Sequence, residues 1–111
     1  MSKYEIFEEL ESKVVDWGYS KGILGDLDDT DALYKRIHKQ LNKFEEEAVE
    51  MIDAIDQRNV DKVRDEMGDV VVTLAIQAHL WGLSLTECLD EAYNKIASRS
   101  GRMIDGVFVK D

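Results

Sequence analysis

Two acidic pairs carry the chemistry that this chain offers. Glu66 and Asp69 stand three residues apart at the head of EMGDVVVTLAIQAHLW, residues 66–81. On a helix they share a face and flank Thr73. Glu47 and Glu50 repeat that spacing inside KFEEEAVEMIDAI, residues 43–55. An acidic string such as EEEAVE is usually a solvated helix face, so the pairs matter only if the fold brings them together. Asn59 and its neighbours make a tight connection that returns the second of these segments antiparallel to the first. Glu47 and Glu50 lie seven to ten residues before Gln57, and Glu66 and Asp69 lie seven to ten after Asn59. The pairs are therefore level. Four carboxylates at one height repel one another unless a positive charge sits between them. Hard divalent ions take oxygen ligands, and magnesium is held by a few carboxylates, waters and substrate phosphates. With no Cys or His cluster, zinc is disfavoured, and the isolated His38 and His79 read as ordinary polar positions.

The elements that must position these groups are helical. Apolar residues from Val70 to Trp81 cover almost every side of a helix, which predicts a helix over 60–81 wrapped by others. Asn59 caps its start and Gly82 stops it. A long helix over 31–57, capped by Thr30 or a neighbouring Asp, carries two stripes. Leu33, Tyr34, Ile37, Leu41, Phe44, Ala48, Met51, Ile52 and Ile55 form the side expected to face the core. Gln40, Lys43, Glu47, Glu50 and Ala54 form a strip beside it. Tyr4, Phe7, Leu10, Val14 and Trp17 mark a shorter helix over 3–19, with Trp17 at the rim of the core, and residues 22–29 read as a loop. Ser84 to Glu87 matches a capping box for a fourth helix over 85–100, its apolar face made by Leu85, Leu89, Ala92, Tyr93 and Ile96. Beside that face Lys95, Arg99 and Arg102 fall at i, i+4 and i+7, a basic stripe placed to look into the same crevice as the acids. Gly101 ends this helix, and residues 103–111 form an extended tail over the bundle or a neighbouring subunit. The expected architecture is all-α and four-helix-bundle-type, a single domain over 1–111 whose central hairpin (31–57 and 60–81) packs in a homo-oligomer. A monomer of this size has few elements to cover the third helix on all sides.

Composition narrows the function classes. A formal net charge of −10 argues against a nucleic-acid groove, because phosphate-backbone binding is driven by Lys and Arg. A small anionic ligand remains compatible if a cation lies between it and the acids. The sequence has no run of 18 apolar residues and no basic-then-apolar N-terminus, so neither a membrane span nor a secretory signal is read from it and a cytoplasmic location is expected. The single cysteine, Cys88, reads as a small buried apolar residue of the fourth helix.

The strings KFEEEAVEMIDAI and KVRDEMGDVVVTL, residues 62–74, resemble the two halves of the EExxE…ExxD signature of MazG-like, all-α nucleoside triphosphate pyrophosphohydrolases. Glu46, Glu47 and Glu50 match the first half, and Glu66 and Asp69 the second. Residues 92–110, AYNKIASRSGRMIDGVFVK, are also similar to the ends of compact, often phage-like members. The resemblance covers residues 40–110; the first 35 residues match less distinctively and could carry the substrate preference. It implies metal ligation by Glu47, Glu50, Glu66 and Asp69, with Mg2+ as the ion and Mn2+ as a substitute. It implies phosphate contacts from Lys95 and Arg99, with Lys62, one turn before Glu66, as a further contact; Arg102 joins them from the helix wheel alone. The implied reaction cleaves a nucleoside triphosphate, commonly a deoxynucleotide, between the α and β phosphates to give the monophosphate and pyrophosphate. Glu47 and Glu50 are both candidates for the carboxylate that positions or deprotonates water. Relatives assemble as homodimers or dimers of dimers, and Trp17, Tyr34 and His38 are candidates for contacts to the base. Two other readings compete: a metal- or nucleotide-binding regulator without turnover, and an acidic helical interaction module whose carboxylates face solvent. A metal bound only by the native state must raise thermal stability, which separates the module; a turnover assay separates the regulator.

Overall fold

The computed structural model describes residues 6–111. Among these residues run four helices and a β-hairpin: α1 (Phe7–Ser20), α2 (Thr30–Asp56), α3 (Val60–Leu80), α4 (Leu85–Ala97), β1 (Gly101–Ile104) and β2 (Val107–Lys110). The all-α expectation holds. Lys3 and Tyr4, expected in the first helix, lie outside the described residues. No single helix among those described is long and apolar enough to cross a membrane.

Local chemistry sets the helix ends. The Asp29 carboxylate accepts from Asp31 N and starts α2, and the Asn59 side chain accepts from Lys62 N and starts α3. Between α2 and α3 lie only three residues. Arg58 N donates to the Ile55 carbonyl and Asn59 N to that of Ala54, with Arg58 in the left-handed region at φ 55. This is a Schellman closure with arginine where glycine is usual, and the next residue already caps α3. The two long helices are thereby joined by a tight three-residue turn.

α2 packs most extensively on α3, while α1 and α4 rest on α3 and on each other. Leu24, Ile37, Ile76 and Leu80 make the core, with Val14, Val15 and Leu33 against it. Gly18 of α1 is buried at the crossing with α3, where an added Cβ would meet Ile76 Cδ1 at 2.8 Å and Leu24 Cδ1 at 2.9 Å. α4 is tied down by α1. Ser84 caps its own helix by accepting from Glu87 N at 3.4 Å, but the reciprocal carboxylate is Glu11, which accepts from Leu85 N, Thr86 N and the Thr86 and Ser84 hydroxyls.

Four expectations are corrected. The first concerns the α2 stripe expected to face the core. Ile37 is buried, yet Tyr34, Leu41, Ile52 and Ile55 are exposed, and the adjacent strip turns inward instead, with Glu47 7% and Ala54 0% exposed. Ala54 is small enough to let α3 approach at the turn, and this rotation aims Glu47 at α3. On α3 and at its C-cap, Val60, Met67 and Trp81 remain exposed, in keeping with the few elements that one chain of this size has to cover it. Second, α4 stops at Ala97 rather than residue 100, so Arg99 lies beyond it and Arg102 lies in β1. The basic stripe therefore has no single helix to carry it. Third, the tail is an antiparallel hairpin with Gly101 opposite Lys110. Asp105 and Gly106 both have positive φ, 49 and 82, the form that matches strand twist. Gly101 begins a strand, and a Cβ there would collide with the Val109 carbonyl and the Phe108 ring. Neither strand packs on a helix among the described residues, and every residue of the two is exposed. Fourth, α4 has no buried residue: Leu89, Tyr93 and Ile96 of its expected apolar face are exposed, and so is Cys88, because α4 meets the bundle mainly through its first turn.

Candidate functional site

The inward rotation of α2 delivers Glu47 to the α3 acids. Glu47, Glu66 and Asp69 each offer a carboxylate oxygen, and these oxygens all lie within 4.8 Å of one another. Glu50 is exposed and stands outside that group, yet its side chain interacts with both Glu47 and Glu66. The level placement of the four acids read from the sequence is what the short turn produces. Glu46 is mostly solvated and shares the Lys43 ammonium at 3.6 Å.

Charge is unevenly balanced here. Lys43 Nζ reaches Glu47 Oε1 at 3.2 Å. Glu47 Oε2 and Glu66 Oε2 are buried, and neither of these two atoms has a hydrogen-bond partner among the described residues. Burial opposes the charge on Glu47, but Lys43 and hydrogen bonds shared with Glu50 and Glu66 hold its carboxyl below the ordinary range. Glu66 has no such cation. Burial, followed by the charge of Glu50, pushes it up to about 7. Burial also raises Asp69, helped by the charges of Asp65 and Glu47. Near neutral pH Glu66 therefore takes up a proton part of the time, which relieves some of the repulsion in the cluster.

Two of the three clustered acids, Glu47 and Asp69, line a cleft of about 380 Å³. Lys39, Gln40 and Lys43 of α2, Val72, Thr73 and Ile76 of α3 and Trp17 of α1 line the same cleft. The Thr73 hydroxyl is spent on the Val70 carbonyl at 2.6 Å. Gln77 donates across the helix pair to the Ile37 carbonyl at 3.1 Å, which pins α2 to α3 beside the cleft.

Of the sequence candidates, the structure brings together Glu47, Glu66 and Asp69, with Glu50 beside them. Lys62, Lys95, Arg99 and Arg102 do not line this cleft. The cations that do are Lys39 and Lys43, which the sequence reading did not assign to the site. Their signal was present: Lys43 precedes Glu47 by one turn on the strip that also holds Gln40. Tyr34 and His38 stack edge to face, 4.6 Å between centroids, in a different recess with Trp81.

A family model described as MazG nucleotide pyrophosphohydrolase domain matches residues 36–104, a span that begins in α2 and ends with β1. No curated protein and no solved structure matches the chain.

Proposed function

Since the chain belongs to the MazG nucleotide pyrophosphohydrolase family, we propose that it is a Mg2+-dependent hydrolase that cleaves a (deoxy)nucleoside triphosphate between the α and β phosphates, releasing the monophosphate and pyrophosphate. The observation that carries this reading is the pair of buried carboxylate oxygens on Glu47 and Glu66 that have no hydrogen-bond partner among the described residues, within a three-residue oxygen cluster. Such a donor set fits a hard divalent cation and little else. Glu47, Glu66 and Asp69 would hold the ion with Glu50 adjacent, Mn2+ serving where Mg2+ does. When bound, the metal offsets charge on the phosphates and on the developing transition state.

The remaining chemistry falls to the chain's own groups. Lys43, held in place by Glu47, and Lys39 face the cleft where an anionic phosphate chain would run. Glu50 serves as the base: it lies beside the cluster without joining the three-oxygen group, whereas Glu47 is committed to Lys43. It takes a proton from the attacking water, the water oxygen bonds to the α phosphorus, and the α–β bridging bond breaks with its electron pair leaving on pyrophosphate. Lys62, Lys95, Arg99 and Arg102 act as phosphate contacts from a second copy of the chain. The exposed apolar faces of α2 (Tyr34, Leu41, Ile52, Ile55) and α4 (Leu89, Tyr93, Ile96) support a homodimer or dimer of dimers.

The test is pyrophosphate release from a panel of dNTPs and NTPs with and without Mg2+. Release is expected only with the metal, and Glu47→Gln and Asp69→Asn are expected to abolish it while leaving helical circular dichroism unchanged. Full activity in either variant would remove these residues from the site.

A further inference from the structure

The cleft that Glu47 and Asp69 line is also lined by two groups that those acids do not use. Trp17 is 45% exposed although it is one of the largest apolar side chains in the chain. It borders both the acid cleft and a neighbouring recess that also reaches Asp69. Its position is set from behind, since Gly18, the next residue, is locked against Ile76 and Leu24 with no room for a Cβ. An aromatic face held open to a polar cleft by the packing of its neighbour is a preorganised stacking surface.

Gln40 is half-buried in the wall of the same cleft, and its amide makes no hydrogen bond with any described residue. The other half-buried glutamine, Gln77, is fully engaged: it donates to Ile37 O and accepts from the Trp81 indole. An unengaged amide offers an acceptor and donors side by side, which is the pattern that base edges complement. Along α2, Gln40 lies two turns before Glu47, about 10 Å of helix. That is the stretch a sugar and its first phosphate must bridge between a base and the bond to be cut.

We propose that Trp17 and Gln40 form the nucleobase seat of this cleft, Trp17 stacking on the base and Gln40 hydrogen-bonding to its edge. The assignment rests on the hydrolase reading for its substrate class. It makes the base a required part of the ligand and places α1, the helix least covered by the family match, in control of selectivity.

Two measurements test it. In turnover, Trp17→Ala raises KM by about 5- to 150-fold for every base, the range that base–aromatic stacking carries, with kcat nearly unchanged and Trp17→Phe restoring most of the loss. Gln40→Ala changes the rank order of bases. In binding, Trp81→Phe leaves Trp17 as the only tryptophan, and its fluorescence is quenched by nucleoside monophosphates but not by pyrophosphate. Quenching that persists in Trp17→Phe and vanishes in Trp81→Phe would put the base in the Tyr34 and His38 recess and overturn the proposal. So would an unchanged KM in Trp17→Ala together with an unchanged base ranking in Gln40→Ala, in an enzyme that still releases pyrophosphate. If the wild type released none, the hydrolase reading would fall, while the fluorescence titration would still decide the seat.

Discussion

Replacing Asp69 by asparagine should make the metal-free protein more stable and the metal-loaded protein less so. The Asp69 and Glu47 carboxylate oxygens lie no more than 4.8 Å apart. Two full charges at about 4.8 Å, in the effective dielectric of about 20 that suits such sites, repel by about 3.5 kcal/mol. The cleft is open, so salt and water screen that repulsion, and about 1–2 kcal/mol of relief is the expected net gain for Asp69→Asn without metal. For a chain of 111 residues this moves the midpoint of thermal unfolding up by about 4–8 °C. Wild type at a Mg2+ concentration of about 100 times its Kd gains about 2.7 kcal/mol, more than the substitution supplies. The variant, with one anionic ligand gone, gains little. Thermal melts in EDTA and then in excess Mg2+ should therefore cross: variant above wild type in the first, below it in the second. A variant that melts lower in EDTA, or an equal metal-induced rise in both proteins, would refute the idea that these carboxylates are crowded together for a cation.

Three further outcomes follow from the geometry. Because the folded-state value of Glu66 is raised to about 7 from 4.5, the folded protein binds the extra proton. Metal-free stability is then highest below pH 4.5 as far as this group is concerned and falls as pH rises towards 7. Glu66→Gln should flatten that slope, and calorimetry in two buffers at pH 6 should show Mg2+ displacing a proton from wild type. Glu11 has the opposite sign. Burial opposes its charge, but hydrogen bonds from Thr86, Leu85 and Ser84 lower it, so its contribution is present above pH 4.5 and lost as pH falls through the folded value; Glu11→Ala, which strands two N–H groups of α4, should cost about 1–3 kcal/mol in a urea titration. Arg58→Gly removes a left-handed non-glycine residue from the α2–α3 turn and should raise stability by about 0.5–1 kcal/mol in the same titration without altering metal binding.

The sequence made the helix pair and its acids legible because their signals are local. Asn59 is a strong cap, the distances from it to Glu47 and to Glu66 can be counted, and a short turn leaves the two segments little freedom. What it hid was rotation. α2 carries an apolar stripe and an acidic strip side by side, and periodicity cannot say which of the two faces the rest of its own chain. Helical spacing likewise drew Lys95, Arg99 and Arg102 into one line by extending α4 past Ser98, whereas the chain there turns into a hairpin. Asp105-Gly106 between apolar residues was the readable sign of that hairpin. Cys88 was misplaced because residue type predicts burial only where a helix has something to lie against, and α4 is held mainly by its first turn.

The closure at Arg58 and Asn59 constrains the chain in a way that surface connections ordinarily escape. Lengthening it by a single residue that α3 absorbed would swing every later side chain of that helix by about 100°, carrying Glu66 and Asp69 out of reach of Glu47 and turning Ile76 and Leu80 away from the core. The three-residue joint between α2 and α3 thus acts as one gauge for the reactive centre and for the core beneath it.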